Sequence, residues 1–201
     1  VEAGRLATGL ALATIPTPAT EPALVLSEEE ARLMGMFVGD GSVSGLGPGK
    51  GFNCSITTFS PGVRKEIDRC CEALGLTATD SSARRGRVNI SGGSRPMLIR
   101  NGLAWTTSHT KRVPAAVFTS PPEVIAAFIA GYWDCDGVVT SRGPDRNGEK
   151  RRDVAVELYS VSRDLIGDVQ HLLLRLGIRS MIRGKRGTYK NAAQISYRLQ
   201  I

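Results

Sequence analysis

The 201-residue chain carries 26 Lys and Arg against 19 Asp and Glu, a formal net charge of +7, with 41% hydrophobic and 22% charged residues. That balance excludes wholesale disorder and allows a buried core in one or two domains, while the basic excess asks for a polyanionic partner, nucleic acid ahead of a membrane surface. Two histidines, His109 and His171, and four cysteines with no Cys-x-x-Cys pair disfavour zinc, and no stretch is long and apolar enough to span a bilayer.

Residues 1–27, with Pro16, Pro18 and Pro22, read as a strand and linker that lack the basic start of a signal peptide. Ser27-Glu28-Glu29-Glu30 is a capping box ahead of the apolar run Ala31 to Val38, which closes on Gly39-Asp40-Gly41. Gly45 to Lys50 imitates a phosphate loop, but Ser44 and Gly51 occupy positions where that motif requires glycine and a hydroxyl residue. Cys54 to Ser60 alternates as a strand, and Val63 to Leu74 is an amphipathic helix stopped by Gly75, with Cys70 and Cys71 as buried reduced thiols suited to a reducing cytosol. Two short strands then flank the basic turn Arg84-Arg85-Gly86-Arg87. Lys111-Arg112-Val113-Pro114 follows, beside a lone surface His109 with no orienting partner.

The second half repeats this order. Ser120-Pro121-Pro122-Glu123 opens a helix that closes on Asp134-Cys135-Asp136-Gly137. A longer loop, 141–152, leads to the alternating strand Val154 to Ser160, the amphipathic helix Leu165 to Leu176 and its stop at Gly177. Two further strands flank a turn at Gly184-Lys185-Arg186-Gly187. Each half is thus helix, two strands, helix, two strands, an internal duplication with halves at 28–119 and 120–201.

A helix C-terminus carries partial negative charge, so an aspartate ending each repeated helix needs a cation nearby. Gly35, Gly39, Ala130 and Gly131 would let the two helices pack closely and in parallel, with Gly41 and Gly137 as left-handed caps. Asp40 and Asp136 then form a pair of carboxylates about a pseudo-twofold axis. A hard oxygen site without His suits magnesium, and paired acids with metal suit in-line attack of water on a phosphodiester. Lys111 is the candidate to neutralise the pentavalent intermediate.

These residues resemble the LAGLIDADG homing endonucleases, in particular the endonuclease domain of inteins, over residues 28–201. The resemblance rests on both motifs, on Lys111-Arg112-Val113-Pro114 between them, and on Leu172 to Ile178 after the second. It implies an α+β protein of two pseudo-symmetric αββαββ repeats forming a DNA-binding saddle. It further implies catalytic metal-binding acids at Asp40 and Asp136, backbone carbonyls of Gly39 and Cys135 on the metal, and a catalytic lysine at Lys111. Magnesium is the expected cofactor, with manganese or calcium able to substitute. Asp134 is assigned to helix packing or capping. The expected partner is double-stranded DNA, bound by a monomer with no membrane association, in a prokaryotic or phage-encoded cytoplasmic protein.

DNA contact is expected from the strands. Either Ser55, Thr57 and Phe59 or Cys54, Ile56 and Thr58 face it, the polar set being preferred. Glu157 and Tyr159 are the second-half candidates, with Arg84, Arg85, Arg87, Arg183, Lys185, Arg186, Lys190 and Arg198 for phosphates and guanines. The terminal residues of a splicing intein are absent, so self-splicing is not expected, and residues 1–27 resemble a splicing-domain remnant. A counterpart of Lys111 in the second half falls beyond Ile201, with Lys185 or Lys190 as substitutes. The expected function is therefore a site-specific double-strand endonuclease, the alternative being a nicking or non-catalytic nucleic-acid module of maturase or regulator type.

Overall fold

A computed structural model describes residues 26–45, 51–82, 86–104, 106–141, 154–189 and 192–201. The phosphate-loop imitation beyond Gly45, the 1–25 leader, Arg84, Arg85, Lys190 and the 142–153 loop lie outside them. Helix α1 (Glu28–Asp40) starts where the Ser27 hydroxyl accepts the Glu30 amide at 3.1 Å, and three glutamates in its first turn suit the positive end of the helix. The capping box is only half made. Glu30 does not reach back to Ser27; its buried carboxylate takes Arg100 and the Asn101 amide instead, the latter at 3.0 Å.

Strands β1 (Gly41–Ser44) and β2 (Asn53–Thr57), helix α2 (Pro61–Ala73), and strands β3 (Thr77–Ser82) and β4 (Arg87–Ser91) complete the first unit. Its sheet has the order β1-β2-β4-β3, antiparallel throughout. The second unit runs α5 (Pro122–Asp136), β5 (Gly137–Ser141), β6 (Val154–Ser160), α6 (Arg163–Arg175), β7 (Met181–Tyr189) and β8 (Ala192–Gln200), with the matching order β5-β6-β8-β7. The Ser60 and Ser162 hydroxyls cap α2 and α6. Both helices end at a left-handed glycine, Gly75 at φ +66 and Gly177 at φ +78, with Leu76 and Ile178 amides closing back onto Cys71 and Leu173 carbonyls. Two short helices that periodicity does not reveal, α3 (Ser94–Arg100) and α4 (Ala115–Phe118), occupy the connection between the units.

Three local expectations are corrected. Gly41 and Gly137 are not left-handed caps: both are extended, at φ −77 and −81, and each helix passes directly into a strand. Glycine is required there by crowding, since a Cβ would lie 2.2 Å from the Phe37 carbonyl oxygen and 2.4 Å from that of Trp133. Ser120 does not cap α5; its hydroxyl donates to the Ala116 carbonyl, and Pro121 takes the cap position. Proline at the start of a helix has its φ fixed and no orphan N–H, which makes a side-chain cap dispensable. Finally, Gly184 to Gly187 is not a turn but the middle of β7, paired to Gln194 to Tyr197.

The core is centred on α1 and α5, where Leu33, Met34, Met36, Ile125, Phe128 and Tyr132 are fully buried. Cys54, Cys70 and Cys71 are buried free thiols, and burial pushes Cys71 up to about 11 and Cys54 up to about 12. Among the described residues no helix is long and apolar enough to cross a membrane.

Candidate active site at the paired helix ends

The two motif helices touch through backbone. A Cβ on Gly35 would stand 2.1 Å from the Phe128 carbonyl oxygen, and one on Gly131 would stand 2.1 Å from that of Arg32. Gly35 and Gly131 are equivalent positions of the two motifs, as are Arg32 and Phe128, so the contact is the same seen from either helix. One turn further, Gly39 meets Cys135, its own equivalent, with a hypothetical Cβ at 2.5 Å from the Cys135 Cβ. Ala130, expected in this seam, stays half-exposed outside it. Asp134 bridges the helices to Arg32 at 2.6 Å, the packing role the sequence assigned to it.

This packing carries both helix C-termini to one place. Burial raises the Asp40 carboxyl above its ordinary range, with Lys111 acting the other way. Asp136, more enclosed, is pushed up to about 6 by burial and then by the charge on Asp40. Lys111 lies half-buried, its Nζ donating to the Gly39 carbonyl at 2.7 Å; burial lowers its pKa while Asp136 and Asp40 oppose the fall. One ammonium thus faces two carboxylates that repel each other, which leaves the site a net anionic oxygen cluster. A pocket of about 220 Å³ opens on it, lined among others by Gly39, Ser108, Lys111, Tyr132, Asp136 and Ser160.

The segment that presents Lys111 is pinned to the second repeat, a feature the sequence did not signal. The Ser162 hydroxyl donates to the Lys111 carbonyl at 2.9 Å. Asp168, 8% exposed, accepts Arg112 through both oxygens at 2.7 and 2.8 Å and the Val113 amide at 3.2 Å. Removing the carboxylate strands the buried Val113 amide and releases an exposed guanidinium, so Asp168→Ala should cost about 1–3 kcal/mol in chemical denaturation. If Lys111 serves the reaction, Lys111→Met should depress turnover far more than DNA affinity, and Asp168→Ala should share that signature in weaker form. Turnover unmoved by both substitutions would remove Lys111 from the site.

The sheets sort the other candidates. Strand alternation sets Ile56, Val88 and Ile90 toward the helices, and places Ser55, Thr57, Arg87 and Asn89 on the opposite, open face. Thr57 and Arg87 are exposed there, but Ser55 is 2% exposed between Ser42 and Asn89, so neighbours cover it from a ligand. In the second sheet Arg183, Lys185 and Arg198 share the open face with Tyr159. Arg186 falls on the other face, with Ile182 and Leu199, because the residue after Lys185 must point away. Glu157 is also corrected: 5% exposed, it is held by Arg198 at 3.1 Å and by the Tyr159 hydroxyl at 2.8 Å, and so anchors those two side chains rather than meeting a ligand. The register Tyr159 opposite Arg198 was the missing signal.

Two α+β repeats joined through abutting helices, each ending in an acid beside a shared lysine, define a duplicated two-sheet scaffold. The chain belongs to the LAGLIDADG-like domain family, which it matches over residues 27–100 and 123–201. Among curated relatives it is 31% identical over 207 residues to the replicative DNA helicase DnaB of Rhodothermus marinus, covering 92% of this chain and 20% of the relative. It is 32% identical over 174 residues to a DNA polymerase of Thermococcus sp., covering 85% and 9%, and 34% identical over 94 residues to a probable translation initiation factor IF-2 of Methanocaldococcus jannaschii, covering 47% and 7%. The chain therefore spans a small fraction of each relative. In fold it resembles the homing endonuclease I-DmoI in complex with DNA and Mn, at TM-score 0.54 and 17% identity, covering 86% of this chain and 88% of that one. It also resembles full-length DUF199/WhiA from Thermatoga maritima, at TM-score 0.53 and 12% identity, covering 87% and 51%.

Proposed function

We propose that this protein is a divalent-metal-dependent, site-specific endonuclease of the homing type that cuts double-stranded DNA. The observation that carries the reading is the convergence of Asp40, Asp136 and Lys111 at the ends of two helices in backbone contact. A pure binder has no use for two acids held together where a phosphate would approach, since they repel it. I-DmoI, similar in fold, is known in complexes with DNA and Mn and with DNA and Ca. DnaB, DNA polymerase and IF-2 relatives share this segment and differ in their named activities, which supports a module lodged within host proteins, as in an intein.

The donor set fits magnesium or a similar hard cation. Two carboxylates whose protonation is favoured by burial, and at Asp136 also by the charge on Asp40, are groups that a divalent charge would relieve. The backbone carbonyls of Gly39 and Cys135 flank them, and the Gly39 oxygen keeps a lone pair beyond the one Lys111 uses. The Cys135 thiol, pushed up to about 12, stays protonated and donates to the Met36 carbonyl, so it is no thiolate ligand. Among the described residues no group of three or more His, Cys, Asp or Glu gathers to hold a metal; the balance of the coordination would come from carbonyls, water and phosphate. Bound there, the cation would supply charge stabilisation at the attacking and leaving oxygens. Asp40 and Asp136 would hold it, and Lys111 would place an ammonium beside the phosphate.

The decisive experiment incubates the protein with a randomised duplex library in Mg²⁺ and sequences the cut ends. A discrete site cut on both strands is expected. Retained binding without any cut, in Mg²⁺ or Mn²⁺, would turn the reading to a non-catalytic DNA-binding module. Phosphate contacts by Arg183 and Lys185 would each contribute about 0.9 to the slope of log affinity against log salt. The double Arg183→Ala, Lys185→Ala variant should therefore flatten that slope by roughly two, and an unchanged slope would take the open face of the second sheet off the DNA.

A further inference from the structure

The pocket beside the acids is one-sided: Gly39, Lys111, Tyr132, Asp136 and Ser160 line it and Asp40 does not. Tyr132 is fully buried, and its hydroxyl lies near enough to Asp136 and Ser160 to interact with both, yet no hydrogen bond of good geometry joins it to either. A buried phenol ordinarily finds one. The equivalent position in the first motif is Met36, also fully buried, which offers only a thioether sulfur. Among the described residues the two acids are thus served unequally. At about 220 Å³ the pocket far exceeds the roughly 30 Å³ share of one water, and Tyr132, Asp136, Ser160 and Lys111 supply the two to four polar partners that an ordered water needs.

Resting on the nuclease reading, we infer that Tyr132 is a positioning residue: its hydroxyl holds a water against Asp136 and Lys111, aimed at one scissile phosphate, so the strand served from the Asp136 side is cut first. The water oxygen bonds to phosphorus as the bond from phosphorus to the leaving sugar oxygen breaks. The water's proton leaves through the pocket to solvent, and the leaving oxygen takes a proton from solvent. Tyr132 transfers none; burial raises its pKa and keeps the phenol a neutral donor.

The test is Tyr132→Phe, which keeps the packed ring, on a duplex bearing the site recovered from the library and a different dye on each 5′ end. Wild type should nick one strand first and accumulate nicked duplex. The variant should cut that strand about tenfold more slowly, cut the other at the wild-type rate, bind the duplex equally in metal-free buffer, and lose the strand order. Equal slowing of both strands, an unaltered order, or a wild type with no order overturns the inference. A second readout needs no catalysis. Loss of a hydrated hydroxyl should lower Tm in metal-free buffer by about 2 °C, whereas a Tm at or above wild type would mean that the hydroxyl is dry and unpaired, which also overturns it. A wild type that cuts no duplex sinks the nuclease reading itself, and that is seen before the variant is made.

Discussion

Asp40→Asn and Asp136→Asn should each lower cleavage by roughly a thousandfold or more, because each deletes half of the anionic cluster that holds the cation. DNA binding should survive or tighten, since a negative charge facing phosphate is removed. Asp136→Asn should also stabilise the fold. Its carboxyl titrates near 6 in the folded protein against an ordinary value of 3.8, so the folded state binds more protons between those pH values and the charged group is a burden above them. Replacement by the neutral amide should raise stability on the order of 1 kcal/mol above pH 6, allowing for solvent screening of a half-buried group. The gain should shrink through the interval and vanish below about pH 4. Melting curves across pH check this beside the cleavage assay; a variant that still cuts at the wild-type rate would end the enzyme reading, and a gain that grows toward acid would contradict the burial assigned to Asp136.

Gly35→Ala and Gly131→Ala should be nearly as damaging, though neither residue touches a reacting group. The added methyl would sit 2.1 Å from a backbone oxygen of the facing helix, which is packed at its far side and cannot retreat cheaply. Overpacking of this kind costs about 1–3 kcal/mol, and backbone against methyl belongs at the upper end. Relief by spreading the helices would also separate the acids, so activity should fall more steeply than stability. Each variant should lose several degrees in Tm, and a protein that keeps both wild-type Tm and wild-type cleavage would show that the seam is looser than backbone contact.

The sequence made legible whatever depends on periodicity or end signals. Both motif helices, the α2 and α6 stops at Gly75 and Gly177, and the two-strand pairs were set by apolar spacing and by glycine, which enforce the same answer locally and globally. What escaped depends on register or on distant partners. Glu157 alternates like a surface residue, and only the neighbouring strand's Arg198 explains its burial. Arg186 looks equivalent to Lys185 until the strand continues through Gly184 to Gly187 and alternation sends it to the other face. Gly41 and Gly137 carry the sequence mark of a helix cap, yet steric crowding by Phe37 and Trp133, not backbone handedness, selects them. The Asp168 clamp on Arg112 and Val113 joins positions more than fifty residues apart, which no local pattern announces.

The open faces of the two sheets have different chemistry. Among the described residues the first presents hydroxyls and amides with Arg87 as its cation, and the second presents Arg183, Lys185 and Arg198. On the proposed duplex ligand the described residues of the two sheets would therefore meet the DNA with different chemistry. The cations would anchor the backbone with little regard to sequence, and the hydroxyls and amides would be left to hydrogen-bond base edges.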